Sequence, residues 1–227
     1  MAPPSACIPG VTRYRPGVAS YRNTNIVVLG RFNPAIFHPE WFRRHSLLPE
    51  AETGAAIDGE RRMIVSGEAT FVRFDSLTLV AQPERWQLMT TQPDWFDDLG
   101  AIVRSVFDTL PHTPVEVVGL NYTGDFDVPP STTVEALVGR WVPLHELGGV
   151  MGDEPQVGGT VHASWEGFTA SVQLEPSKKL KGRGLFINQN YERRDLRSVD
   201  DLIEVLDGDW HKFRERAESV VDIILAG

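Results

Sequence analysis

"ATFVRFDSLTLVAQPERWQLMTT", residues 69–91, reads as three short strands joined by two turns. Asp75-Ser76 supplies the first turn and Pro83-Glu84-Arg85 the second. Apolar and polar residues alternate in "LTLVAQ" (77–82) and "WQLMTT" (86–91). Alternation of that kind belongs to an antiparallel sheet with one buried face. It makes the chain an α+β protein, provided that helices lie to either side of the strands in sequence.

They do. Upstream, "NTNIVVLGRF" (23–32) is a strand, β-branched and apolar with polar flanks. "HPEWFRRHSLL" (38–48) is a short helix, with Pro39 in its first turn. "PEAETGAAIDGE" (49–60) is polar and contains glycine, and is expected to be a loop. Downstream, "PDWFDDLGAIVRSVFDTL" (93–110) carries an apolar stripe at helical spacing through Trp95, Leu99, Ile102, Val103, Val106 and Leu110. Asp94, Asp97 and Asp98 crowd its N-terminus, where the helix dipole favours acids.

The second half runs in the same order. "PVEVVGLNYTGDF" (114–126) is a strand. "PSTTVEALVGRWVPLHEL" (130–147) is a helix with a capping box expected between Thr132 and Glu135, and Pro143 should end or kink it. After the glycine-rich stretch 148–159 come the strands "TVHASWEG" (160–167), "FTASVQLEP" (168–176) and "GLFINQNYE" (184–192), the last two separated by a basic loop. A helix closes the chain, with Phe213, Ala217, Val220, Val221 and Ile224 on one side.

"DSLTLVAQP" (75–83) parallels "EGFTASVQLEP" (166–176), and "VVLGRFN" (27–33) loosely echoes "VVGLNYT" (117–123), both at an offset of about ninety residues. The expectation is therefore a duplicated β-α-β-β-β-α unit, with helices packed on one face of a mainly antiparallel sheet. Residues 1–20, rich in proline, form an N-terminal arm; 21–112 and 113–227 form the two repeats. Neither repeat is large enough to bury its sheet well alone, so a shared core is expected.

The 227 residues carry a net charge of −9 and a single cysteine, Cys7. The charge argues against a broad nucleic-acid or anionic-membrane surface. One cysteine excludes an intramolecular disulfide and any zinc site built on several thiolates. No apolar run approaches the ~20 residues that span a bilayer. The N-terminal stretch lacks the layout of a secretory signal. The cytoplasm is the expected compartment.

Few residues gather in patterns that chemistry requires. In "FHPEWFRRHS" (37–46), His38 and His45 are seven apart. That is about 10.5 Å of helical rise, against the four-residue spacing that lets two imidazoles share an ion. No metal site is read there. His112, between Pro111 and Pro114, is a stiffly held imidazole usable as a base, or a ring capping carbonyls of the preceding helix. Asp125 and Asp127 share one side of a strand and are the carboxylates a hydrolase or nuclease would use with it. Asn121 and Tyr122 end one strand, and Asn188, Asn190 and Tyr191 end another. They are read as a ligand-binding set lining a groove between the repeats. Lys178, Lys179, Lys181 and Arg183, beside two glycines, are candidates for anion binding, without the order of a Walker motif. No cofactor fingerprint is present.

Four stretches together resemble an uncharacterised, sporadically distributed bacterial family of roughly this size: "LTLVAQPERWQLMTT", "FDTLPHTPVEVVGLNY", "VQLEPSKK" and "GLFINQNYE". The His-Thr-Pro followed by Gly-Leu-Asn, and the Glu-Pro-Ser followed by Asn, are its more specific parts. The resemblance implies a bacterial protein and no particular activity. The expected function is a non-catalytic binding protein that engages a protein or small ligand in the cleft between repeats, with homo-oligomerisation open. The alternative is a hydrolase or nuclease using His112 with Asp125 and Asp127.

Overall fold

Alternation governs the central strands of the computed structural model, which describes residues 21–60, 62–140 and 159–226. In β1 (Tyr21–Gly30), Thr24, Ile26 and Val28 are fully buried, while Asn23, Asn25, Val27 and Leu29 face the other way. β2 (Met63–Val65), β3 (Thr70–Arg73), β4 (Thr78–Gln82) and β5 (Arg85–Thr90) form a meander whose last strand returns beside β1. β6 (Val115–Asp127) pairs with β1 on its other edge. β7 (Gly159–Trp165), β8 (Phe168–Pro176) and β9 (Gly184–Arg194) form a second meander, whose last strand returns beside β6. All pairs are antiparallel, and the nine strands make one sheet in the order β2-β3-β4-β5-β1-β6-β9-β8-β7.

Local chemistry explains two of the joints. Glu166 and Gly167 both have positive φ (45° and 86°), as the type I′ turn between β7 and β8 demands. At Gly30 the β1–β6 register shifts, and a Cβ there would stand 2.1 Å from the carbonyl oxygen of Pro114. Only glycine permits that approach.

One face of the sheet carries the helices. α1 (Pro39–Arg44) lays Phe42 against Phe74, with ring centroids 5.5 Å apart. α3 (Leu99–Asp108) meets α5 (Val199–Ala226) where Gly100 lets the indole of Trp210 in; a Cβ at Gly100 would lie 2.5 Å from that ring. α5 packs Phe213 on Tyr191 of β9 at 5.2 Å. Gln189, fully buried, donates from Nε2 to the main-chain oxygen of Ala217 at 2.7 Å and ties β9 to the helix. Each large side chain so buried stabilises the fold by about 1.5–3 kcal/mol. The core is one cluster that runs through both halves.

The α+β architecture agrees with the sequence, and four details differ from it. Residues 50–58, expected as loop, form helix α2 (Glu50–Asp58). Its buried residues are Glu52, Thr53 and Ala56, so it has no large apolar stripe to betray it. The carboxylate of Glu52 instead accepts from the backbone N–H of Ser76 at 2.9 Å. β2 adds a strand to the first half that the second lacks among the described residues. α4 (Val134–Gly139) is capped by Thr133, whose Oγ1 accepts from Ala136 N at 3.2 Å, so Glu135 falls one position short of the expected capping box with Thr132. In 93–110, a 3₁₀ turn at Pro93–Trp95 precedes α3, so the regular helix starts at Leu99. The N-terminal arm, Pro143 and the glycine-rich stretch up to residue 158 lie outside the described residues.

The two sequence echoes fall on corresponding strands. Residues 75–83 hold β4 and 166–176 hold β8, each the middle strand of its half's returning hairpins; 27–33 and 117–123 lie at β1 and β6, the central pair. Val28 pairs with Val118, its own counterpart at that offset.

Candidate functional site: an amide-lined hollow on the open face of the sheet

The face opposite the helices is the place to look, because the strands present half-buried polar side chains there. Following the registers, one row crosses the sheet through Met89, Asn25, Asn121, Asn190, Ser171 and His162. At its centre, over β1, β6 and β9, lies a hollow of about 340 Å³. It straddles the two halves, since β1 belongs to the first and β6 and β9 to the second.

Four side-chain amides are linked in series by three hydrogen bonds, and the first three of them line the hollow. Asn190 Nδ2 donates to Asn121 Oδ1 at 2.6 Å, Asn121 Nδ2 to Asn25 Oδ1 at 3.0 Å, and Asn25 Nδ2 to Asn23 Oδ1 at 3.0 Å. Thr123 Oγ1 donates to Asn188 Oδ1 at 3.1 Å. The central residues Asn121 and Thr123 thus hold the amides of the flanking strands in fixed orientations. Asn188 and Asn190 keep further N–H donors, and Asn190 an acceptor, that meet no partner among the described residues. Gly119 floors the hollow; a Cβ there would meet Asn121 Nδ2 at 3.6 Å, an ordinary van der Waals contact. Val27, Leu29 and Val117 make one end apolar, and Arg85 and Glu192 stand at the rim. Glu192 accepts from Arg194 Nε at 2.6 Å, so its charge is already met.

No protein-family model and no curated protein matches the chain.

Of the residues singled out from sequence, Asn121, Asn188 and Asn190 converge on this hollow. Tyr122 and Tyr191 do not: one step along a strand reverses the face, and both are buried beneath α5. Tyr122 lies against the guanidinium of Arg214, and Tyr191 against Phe213. Burial pushes both phenols above their ordinary range, nearby arginines opposing it in each case. They are core residues. Arg85, Asn23, Asn25, Gly119 and Thr123 went unread in the sequence. A usable signal existed: β1 and β9 both contain Asn-x-Asn, at 23–25 and 188–190, which sets both amides of each pair on one face, although Asn23 itself lies outside the lining of the hollow.

His112 sits exposed in the turn before β6, beside a separate hollow whose lining residues include no carboxylate. Asp125 lies near the other end of that strand, about 33 Å from its start. The grouping of His112 with Asp125 and Asp127 is therefore not assembled. Asp125 is buried and holds a loop instead. Ser177 Oγ donates to Oδ1 at 2.7 Å, and Lys179 Nζ comes within 3.1 Å of Oδ2, off the direction of a hydrogen bond. The same ammonium lies 3.3 Å from the ring centre of Tyr21. Of the four basic residues read as an anion site, Lys179 is thus engaged, while Lys178, Lys181 and Arg183 are exposed. His38 caps α1, its Nδ1 accepting from Glu40 N at 3.1 Å, and His45 packs its ring on Trp41. Among the described residues, no three His, Cys, Asp or Glu gather as metal ligands, and no helix is long and apolar enough to cross a membrane.

Proposed function

We propose that this chain is a non-catalytic binding protein that takes its ligand in the amide-lined hollow where the two halves meet. The observation that carries this reading is the chain of asparagines, Asn190 to Asn121 to Asn25 to Asn23. A carboxamide offers donors and acceptors without gaining or losing a proton, so such a surface recognises and does not drive acid–base chemistry. Its amides are tied to each other and oriented before a ligand arrives, which lowers the entropy lost on binding. The hydrolase or nuclease alternative would need His112 and a carboxylate in reach of one substrate atom, and no such juxtaposition supports it among the described residues. A bacterial, cytoplasmic protein built by duplication of one unit fits the same reading, and the placing of the two sequence echoes on corresponding strands supports the duplication.

The test pairs recognition with stability. Full-length protein and an Asn121→Ala/Asn190→Ala double variant are each tagged and used to capture partners from lysate of the native cell. Species retained by the first and lost by the second, with melting temperatures within a few degrees of each other, are the expected result. A collapse of the melting temperature in the variant would make these asparagines structural and remove the basis of the proposal.

A further inference from the structure

We infer that the chain has a second binding site, which takes a small monocarboxylate with an apolar body. The site lies at the end of the sheet where the chain leaves β1 and where it enters β6. There residues 31–37 and 109–114 enclose a cavity of about 420 Å³. It shares no lining residue with the amide-lined hollow, and its argument stands apart from the reading of that hollow.

The two segments are stiff and tied to each other. Pro34, Pro111 and Pro114 fix the backbone at three points. The backbone N–H of Arg31 donates to Pro114 O at 2.9 Å and joins the segments. Within them, Phe37 N–H donates to Pro34 O at 3.1 Å and Thr113 N–H to Leu110 O at 3.0 Å. Walls held in this way need no ordering when a ligand enters. The volume falls in the range of small-molecule sites, roughly 300–1,000 Å³.

The lining sets the chemistry. Phe32, Ile36 and Leu110 are apolar yet only half-buried, and Phe37 is buried behind them. Phe32 stands edge-on to Phe107 at 6.2 Å and Phe37 lies 6.1 Å from Trp86, so both rings are held from behind. Apolar surface left uncovered in a concave site suits the body of a ligand. The polar part has one sign. Arg31 and His112 line the cavity with exposed side chains, and among the described residues neither has an ion-pair or hydrogen-bond partner. No carboxylate lines it, in a chain whose acids outnumber its lysines and arginines 31 to 22. The local sign thus opposes that of the whole molecule and selects an anion. Arg31 supplies one permanent charge, with parallel N–H donors that match a carboxylate. The imidazole of His112 offers an N–H in either protonation state. A phosphate monoester would bring close to two charges against that single guanidinium, so the carboxylate is the better match.

The experiment follows the backbone amides of the isotope-labelled full chain by nuclear magnetic resonance. The probes are phenylacetate and indoleacetate, with their neutral alcohols phenylethanol and tryptophol, acetate as charge without a body, and phenyl phosphate. Expected is that at least one aryl acetate shifts the amides of Phe32, Ile36 and His112. The matching alcohol, acetate and phenyl phosphate should each bind about tenfold more weakly or worse, the scale of a lost charge-assisted pair. Arg31→Gln should weaken the aryl acetate to the level of its alcohol at an unchanged melting temperature, since the side chain is exposed. Leu110→Ala should weaken acid and alcohol alike. Alcohols that bind as well as the acids overturn the inference, as does an aryl acetate indifferent to Arg31→Gln. Tighter binding of phenyl phosphate overturns the choice of a carboxylate, and unmoved amides with every probe remove the site.

Discussion

Asn121 and Tyr122 are adjacent on β6, and that single step sets one on the open face and the other beneath α5. The consequence for Tyr122 and Tyr191 is measurable. Burial opposes the phenolate in the folded state only, so each phenol keeps its proton to higher pH when folded than when unfolded. Below about pH 10, where the unfolded phenol is still protonated, their contribution to stability is fully present. As pH rises beyond that, the unfolded chain releases protons the folded chain retains, and stability falls. Urea unfolding between pH 9 and 11, a range set by the ordinary phenol value of about 10, should show this decline. Phenolate absorbance should show late titration that disappears in Tyr122→Phe/Tyr191→Phe. Normal titration of every tyrosine in the folded protein would contradict it.

Helices show how packing outweighs local pattern. α2 was illegible because it buries Glu52, Thr53 and Ala56 in place of large apolar residues; its register is set by the reach of Glu52 to Ser76, which no periodicity records. α3 was legible from its stripe, yet the residue that positions it, Gly100, looks in sequence like a helix weakener. Against α5 it is a requirement, since the indole of Trp210 occupies the space a methyl would need and its Nε1 donates to Asp97 O at 2.9 Å. On an isolated helix Gly→Ala stabilises by about 0.8–1 kcal/mol. Here Gly100→Ala should destabilise by about 1–3 kcal/mol, the range for overpacking a core, read as a lower urea midpoint at constant slope. A gain in stability would mean that the two helices can separate freely at this point.

At the level of the whole chain, the pairing of β1 with β6 makes the two halves a single sheet over a single core. Neither half can unfold without exposing a full strand edge and the buried face beside it. Calorimetry should therefore give one transition with matching calorimetric and van't Hoff enthalpies. Two resolved transitions would show that the halves fold separately.

The candidate site divides along the same lines. Alternation is a local property, so the strands, and the placing of Asn121, Asn188 and Asn190 on them, could be read directly from neighbouring residues. Which face a given residue takes depends on register with a partner strand, and so Tyr122 and Tyr191 could not be told from their neighbours. From the order of its segments alone, the chain could be read as an α+β protein with a repeated succession of strands and helices. Only the tertiary structure decided that Asn23 and Asn25 stand across one strand from Asn188 and Asn190, because strand pairing is a contact between residues far apart in the chain, chosen by burial of the whole face.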